Sequence, residues 1–208
     1  MYIPKAFREE DIDVLHAFMQ ENNFAILVTI QDSVPLATHL PLILGLEKGA
    51  YGTLRGYMAR ANMQWRTFDE TKETLVIFPG PHAYISPSWY VSEPETSVPT
   101  WNYAAIHAYG IPHIVSDEDA LYTLLKDSVD TFEAGFSQPW TIQQRGDFMR
   151  KKMRAIVGFE LLITRLEGKL KLSQNRSSED RESVVAMLQN SDDMLNNAIA
   201  KLMQDRIP

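Results

Sequence analysis

The chain has no cysteine in its 208 residues. That excludes structural disulfides, thiolate metal sites, iron–sulfur clusters and thiol catalysis, so any redox chemistry has to come from a bound cofactor. Long hydrophobic runs are also missing. No apolar stretch approaches the roughly 18 residues of a membrane span. The opening MYIPKAFREEDID has no basic-then-apolar signal pattern, and a cytoplasmic location without membrane contact is expected. Positive charge is scarce: 20 Lys and Arg stand against 27 Asp and Glu, giving a net charge of -7 and a pI near 5.2. This favours solubility and weighs against a broad nucleic-acid footprint, while leaving room for a local basic patch. The phosphate-loop, dinucleotide and zinc-protease motifs are all absent. The five histidines form no close pairs, so no metal site is expected, and Ser86 and Ser88 lack the context of a nucleophile. No residue is assigned a catalytic role.

The remaining composition, 45% hydrophobic and 23% charged, is that of a globular chain with one substantial core. Ile12, Leu15, Phe18 and Met19 recur at helical spacing and predict a first helix ending near Asn22. FAILVTI (Phe24 to Ile30) reads as a strand covered on both sides, and Pro35 to Leu44 as the strand after it. YGTLRGYMA follows as a third strand, and a short helix opens near Asn62. TLVIFPG and AYISPSWY read as two strands separated by Pro79, Gly80 and Pro81, with VSEPETSVP as a covering loop. Ser116 to Ala134 and QQRGDFMRKKMRA predict helices. IVGFELLITRLEGKLKL predicts a long strand with a tight turn, and Ser178 and Ser191 cap two final helices.

Without βαβα alternation the fold class is mainly β with α, an antiparallel barrel with peripheral helices and a C-terminal helical pair. The expected division is a main domain over residues 1–176, with a helical insertion at about 116–155, and a C-terminal extension over 177–208. That extension carries six acids and three basic residues from Glu179 onward. It suits amphipathic packing of Leu195, Ile199, Leu202 and Met203, within the chain or across a dimer, better than DNA recognition.

Four stretches hold candidate site residues. In VPTWNYAAIHAYG, strand parity puts Trp101, Tyr103, His107 and Tyr109 on one face and Asn102, Ala104, Ile106, Ala108 and Gly110 on the other. The large face is either packing or the wall of a site, with Trp101 and Asn102 at the ligand end. In YMARANMQW, Arg60, Asn62 and Trp65 sit at a strand-to-helix junction suited to an anion, although Asn62 also reads as a plain N-cap. In THLPL, Thr38 and His39 interrupt an apolar strand on opposite faces. In GKLKLSQNR, Lys169, Lys171, Gln174, Asn175 and Arg176 cluster, and a solvated basic turn explains them.

Taken in order, MYIPKAF, HLPL, GYMARANMQW, GPHAYISPSWY, VPTWNYAAIHAYG and KLKLSQNR resemble the PaiB family of FMN-binding negative transcriptional regulators, from Met1 to about Leu188. The resemblance implies a flavin-binding split barrel similar to pyridoxamine-phosphate oxidase, assembled as a homodimer with FMN at the subunit interface. Arg60, Asn62 and Trp65 then fall where the FMN phosphate would be held, and Thr38, His39 and Leu40 beside the isoalloxazine edge. Trp101 and Asn102 would approach from the opposite side, with Lys171, Gln174 and Asn175 as further candidates. Met63 stands where the family pattern has proline. DNA is a partner by family name, while the acidic composition weighs against direct contact. The alternatives are a flavin-dependent oxidoreductase using Tyr103, His107 or Tyr109 as proton donors, and a haem protein with His39 or His107 as axial ligand.

Overall fold

A computed structural model describes residues 1–92, 96–142 and 146–207, apart from the side chain of residue 147. Helix α1 (Ile12–Glu21) starts where the Asp11 carboxylate accepts the amides of Asp13 and Val14, and it buries Leu15, Phe18 and Met19. Strands β2 (Phe24–Gln31) and β3 (Val34–Pro41) form an antiparallel hairpin across Asp32 and Ser33. Both turn residues have positive φ, 49° and 66°, the geometry that matches strand twist in a two-residue turn. β2 is buried on one face, and on the other only its central Ile26 and Val28 are half-buried. Ala25, Leu27 and Thr29 are buried, while Phe24 and Ile30 stay exposed.

The strand expected over Pro35 to Leu44 is broken at Leu42, whose amide turns to the Asn23 carbonyl, 2.9 Å away. β4 (Ile43–Gly45) therefore follows separately, and it pairs with β5 (Thr53–Ala59). Two other expectations are corrected in the opposite direction. β6 (Thr74–Ile85) runs unbroken through Pro79, Gly80 and Pro81. Proline tolerates extended φ, and burial loosens over Pro79 to His82, where two N–H donors are missing. β8 (Ile156–Lys171) likewise has no turn. Gly168 lies opposite Glu9 of β1 (Arg8–Glu9), and a Cβ there would enter the space of the Leu15 side chain. The glycine permits close approach.

β7 (Thr100–Val115) is the long strand expected from VPTWNYAAIHAYG, extended toward Val115. Its even positions from Asn102 to Pro112 are buried and its odd positions are not, as parity requires. α2 (Glu118–Glu133) is capped by Asp117, which accepts the Ala120 amide at 2.8 Å. α3 (Asp147–Arg154) covers part of the next predicted helix, and residues 143–145 of that prediction lie outside the described residues. α4 (Ser178–Gln189) and α5 (Met194–Gln204) form the C-terminal pair. Their caps are Ser177 and Asp193, in place of the expected Ser178 and Ser191. Ile199 and Met203 are buried as expected, whereas Leu195 is exposed.

The strand order is β3-β2-β6-β7-β8-β5-β4, with β1 on β8, and β2–β3, β2–β6, β4–β5, β5–β8 and β1–β8 are all antiparallel. The chain divides into two compact units. The first comprises Met1–Leu15, Pro79–Ile106 and Glu167–Pro208, with Ile85, Ile106, Leu172, Leu188 and Ile199 in its core. The second comprises His16–Phe78 and His107–Leu166, built on Leu27, Leu54, Phe78, Phe159 and Leu161. Among the described residues no helix is long and apolar enough to cross a membrane.

Candidate functional site

The candidate residues fall into both units. In the second unit, Thr38 and Asn62 come together around a residue that sequence reasoning passed over. Gln64 is buried, and its amide nitrogen donates to the Leu27 carbonyl, the Thr29 hydroxyl and the Leu36 carbonyl at 3.1, 3.1 and 3.2 Å. Its oxygen accepts the Thr38 hydroxyl. Asn62 completes the network, donating to Thr38 Oγ1 at 2.8 Å and accepting the Gln64 amide at 3.1 Å. The Asn62 N-cap therefore opens a single 3₁₀ turn, Met63–Thr67, pinned across β2 and β3. Gln64→Leu leaves these strand carbonyls without their partner and is expected to cost about 2 kcal/mol of stability, measured by denaturant unfolding.

Arg60 is held by two backbone carbonyls. Its Nε donates to the Arg154 carbonyl and its Nη2 to the Ile156 carbonyl, both at 2.8 Å, closing the end of α3. Trp65 Nε1 donates in turn to the Arg60 carbonyl at 3.1 Å. Arg60 and Trp65 line a cavity of about 250 Å³ with Ile114, Leu121, Ile156 and Val157. Leu40 is buried, and His39 is exposed on β3 with its ring centroid 6.4 Å from that of Phe24. His107 and Tyr109 belong to this unit too, 6.4 Å apart, with the Arg165 guanidinium 3.5 Å over the Tyr109 ring.

In the first unit, parity separates two residues that were paired as ligand contacts. Asn102 is 0% exposed and bonds inward to Ser173 Oγ at 3.0 Å and Met203 Sδ at 3.4 Å. Trp101 is on the opposite face and 53% exposed. Its ring is 5.8 Å from Tyr84 in an edge arrangement and 6.0 Å from His82. Those two β6 residues were missed, although the alternation in PHAYI puts them on one face. Lys171 Nζ donates to Thr100 Oγ1 at 2.5 Å and to the Trp101 carbonyl at 2.6 Å. Burial and the neighbouring Lys169 charge push its pKa down. Gln174 closes the turn after β8, accepting the Leu172 amide at 2.7 Å and donating to the Leu170 carbonyl at 2.5 Å, while Asn175 is exposed. The expected solvated basic turn is not what forms. Lys169 is only 7% exposed, held by the Tyr2 carbonyl and the rings of Tyr2 and Tyr103.

Residues 1–165 match the family model described as "Putative FMN-binding domain". The chain is 37% identical over 209 residues to the protease synthase and sporulation protein PAI 2 of Bacillus subtilis (strain 168), covering 100% of this chain and 98% of that protein. Among solved structures it is similar to the flavocytochrome of Azotobacter vinelandii, with a TM-score of 0.60 at 13% identity over 81% of this chain and 72% of that one. It is also similar to the FAD and heme binding protein of Mycobacterium smegmatis, with a TM-score of 0.58 at 15% identity over 85% and 79%. At these identities the structural likeness is one of fold, the antiparallel split barrel.

Proposed function

The chain belongs to the FMN-binding domain family, and from that premise we propose that it is an FMN-binding homodimer acting as a negative transcriptional regulator of the PaiB type in the cytoplasm. The observation that carries the flavin part is Trp101. A soluble chain leaves a large aromatic ring half in solvent, flanked by Tyr84 and His82, with the Lys171 ammonium held beneath its carbonyl. Such a face suits a flat heteroaromatic ring with a hydrogen-bonding edge. When bound, the flavin supplies electron-transfer chemistry, while the chain binds and orients it. Arg60, in the other unit, keeps donor capacity beyond its two carbonyl bonds. The regulatory part draws on the resemblance and on the relative's name. The net charge of -7 favours action through a partner protein over a broad grip on DNA.

The test is a visible spectrum of the purified homodimer followed by titration with FMN. Flavin bands saturating near one equivalent per chain are expected, and Trp101→Ala is expected to weaken FMN by about ten-fold, roughly 1.4 kcal/mol. A Soret band in place of flavin bands would overturn the reading in favour of haem. Steady NAD(P)H oxidation by the loaded protein would favour an oxidoreductase.

A further inference from the structure

The two lysines of β8 form a cationic site whose counter-charge the described chain does not supply. Lys169 and Lys171 are two residues apart on one strand, so they share a face about 6–7 Å apart along it. Arg8 is the register partner of Lys169 on β1 and adds a third cation to that face. Arg8 has a carboxylate neighbour, Glu10 at 3.4 Å. The lysines have none among the described residues. Lys169 meets a carbonyl and two tyrosine rings, and Lys171 meets a hydroxyl, a carbonyl and, at 5.9 Å, the Phe7 ring. Burying the Lys169 ammonium, and half-burying that of Lys171, without an anion is costly, because carbonyls and aromatic rings only partly replace hydration. An oxyanion seated between them would offset that cost, and each ammonium retains a donor for it. The Tyr103 ring under Lys169 and the exposed Trp101 ring belong to this same face of β7, so the site adjoins an aromatic platform.

We propose that Lys169 and Lys171, with Arg8 at the edge, bind a phosphate or carboxylate group of a small molecule whose ring lies toward Trp101. Two sources carry this chemistry, the phosphate of FMN itself and a separate small aromatic acid. The proposal rests on the flavin reading only in the first case. Calorimetric titration of the 208-residue protein with inorganic phosphate, at ionic strength held constant with chloride, is the primary measurement. Saturable binding is expected, weakened about ten-fold by Lys171→Gln and restored by Lys171→Arg. Arg8→Gln, at an exposed edge position, is expected to weaken it about three-fold and serves if the Lys171 variants unfold.

Repeating the titration on FMN-saturated protein separates the sources. If the flavin phosphate is the occupant, inorganic phosphate no longer binds, and Lys171→Gln weakens FMN but not riboflavin. If a separate acid is the occupant, phosphate binds the loaded protein as it binds the unloaded one. Absence of saturable phosphate binding to the unloaded protein, or equal binding by wild type, Lys171→Gln and Arg8→Gln, overturns the site. Failure of FMN to bind overturns only the flavin reading, because the phosphate titration of the unloaded protein still reports on the lysines.

Discussion

Gly110→Ala is expected to destabilise the protein by about 3 kcal/mol, because the added methyl overpacks a site that cannot yield. A Cβ on Gly110 would penetrate both the Leu161 side chain and the Leu162 carbonyl of β8. Leu161 is fully buried and cannot swing away, and the carbonyl belongs to the strand backbone. The strands would have to separate locally, at the expense of the hydrogen bonds between β7 and β8. At 208 residues such a loss corresponds to a fall of roughly 6–12 °C in Tm, read by calorimetry. Gly135→Ala is the control. Nothing lies within 4 Å of its Cβ position, and a change within about 0.5 kcal/mol is expected. A Gly110→Ala protein as stable as wild type would mean that β7 and β8 are not held as closely as described.

That glycine shows how far the sequence could be read. Period-two alternation in WNYAAIHAYG assigned every residue of the strand to its face, because parity is a local property of extended chain. It also implied that Trp101 and Asn102 cannot face the same ligand, a consequence that the family resemblance obscured. Breaks and continuities were harder. Pro79, Gly80 and Pro81 signal a turn by composition, yet β6 continues because its partners and burial decide the matter, not the propensity of three residues. The tight turn expected within IVGFELLITRLEGKLKL is absent for the same reason, since β8 runs unbroken. Within the candidate site, hydrogen-bonding residues were recognised by type but not by what they bond. Arg60 spends donors on two carbonyls about a hundred positions away, and Gln64 reaches three groups on β2 and β3. Lys169 became buried because the N-terminal segment brings Tyr2 against it, a contact that no local pattern announces.

Asp180→Ala is expected to cost about 2 kcal/mol at neutral pH, because it removes a buried carboxylate that several part-buried donors share. Asp180 is 1% exposed in the first turn of α4, where the carboxylate also meets the favourable end of the helix dipole. It accepts the amides of Val91 and Ser92, each at 2.9 Å, and the Ser92 hydroxyl at 2.5 Å. The next turn holds the same segment, since Ser183 Oγ donates to the Trp89 carbonyl at 2.6 Å. Burial alone would raise the pKa of Asp180, but the donors from Ser92, Val91 and Ser177 outweigh it and hold the carboxyl below its ordinary 3.8. A carboxyl depressed in the folded state binds fewer protons there than in the unfolded chain. Its contribution is therefore fully present above the unfolded value and is lost as pH falls through 3.8 toward the folded value. Thermal melts should show wild type well above Asp180→Ala at pH 7, by roughly 4–8 °C, with the gap narrowing once the pH drops below about 4. A gap that stays constant down to the acid limit would place the loss in packing around α4 and not in the carboxylate. Asp180→Asn adds the remaining distinction. It preserves volume and one acceptor oxygen, so it should recover part of the stability at neutral pH while remaining flat across the acid range.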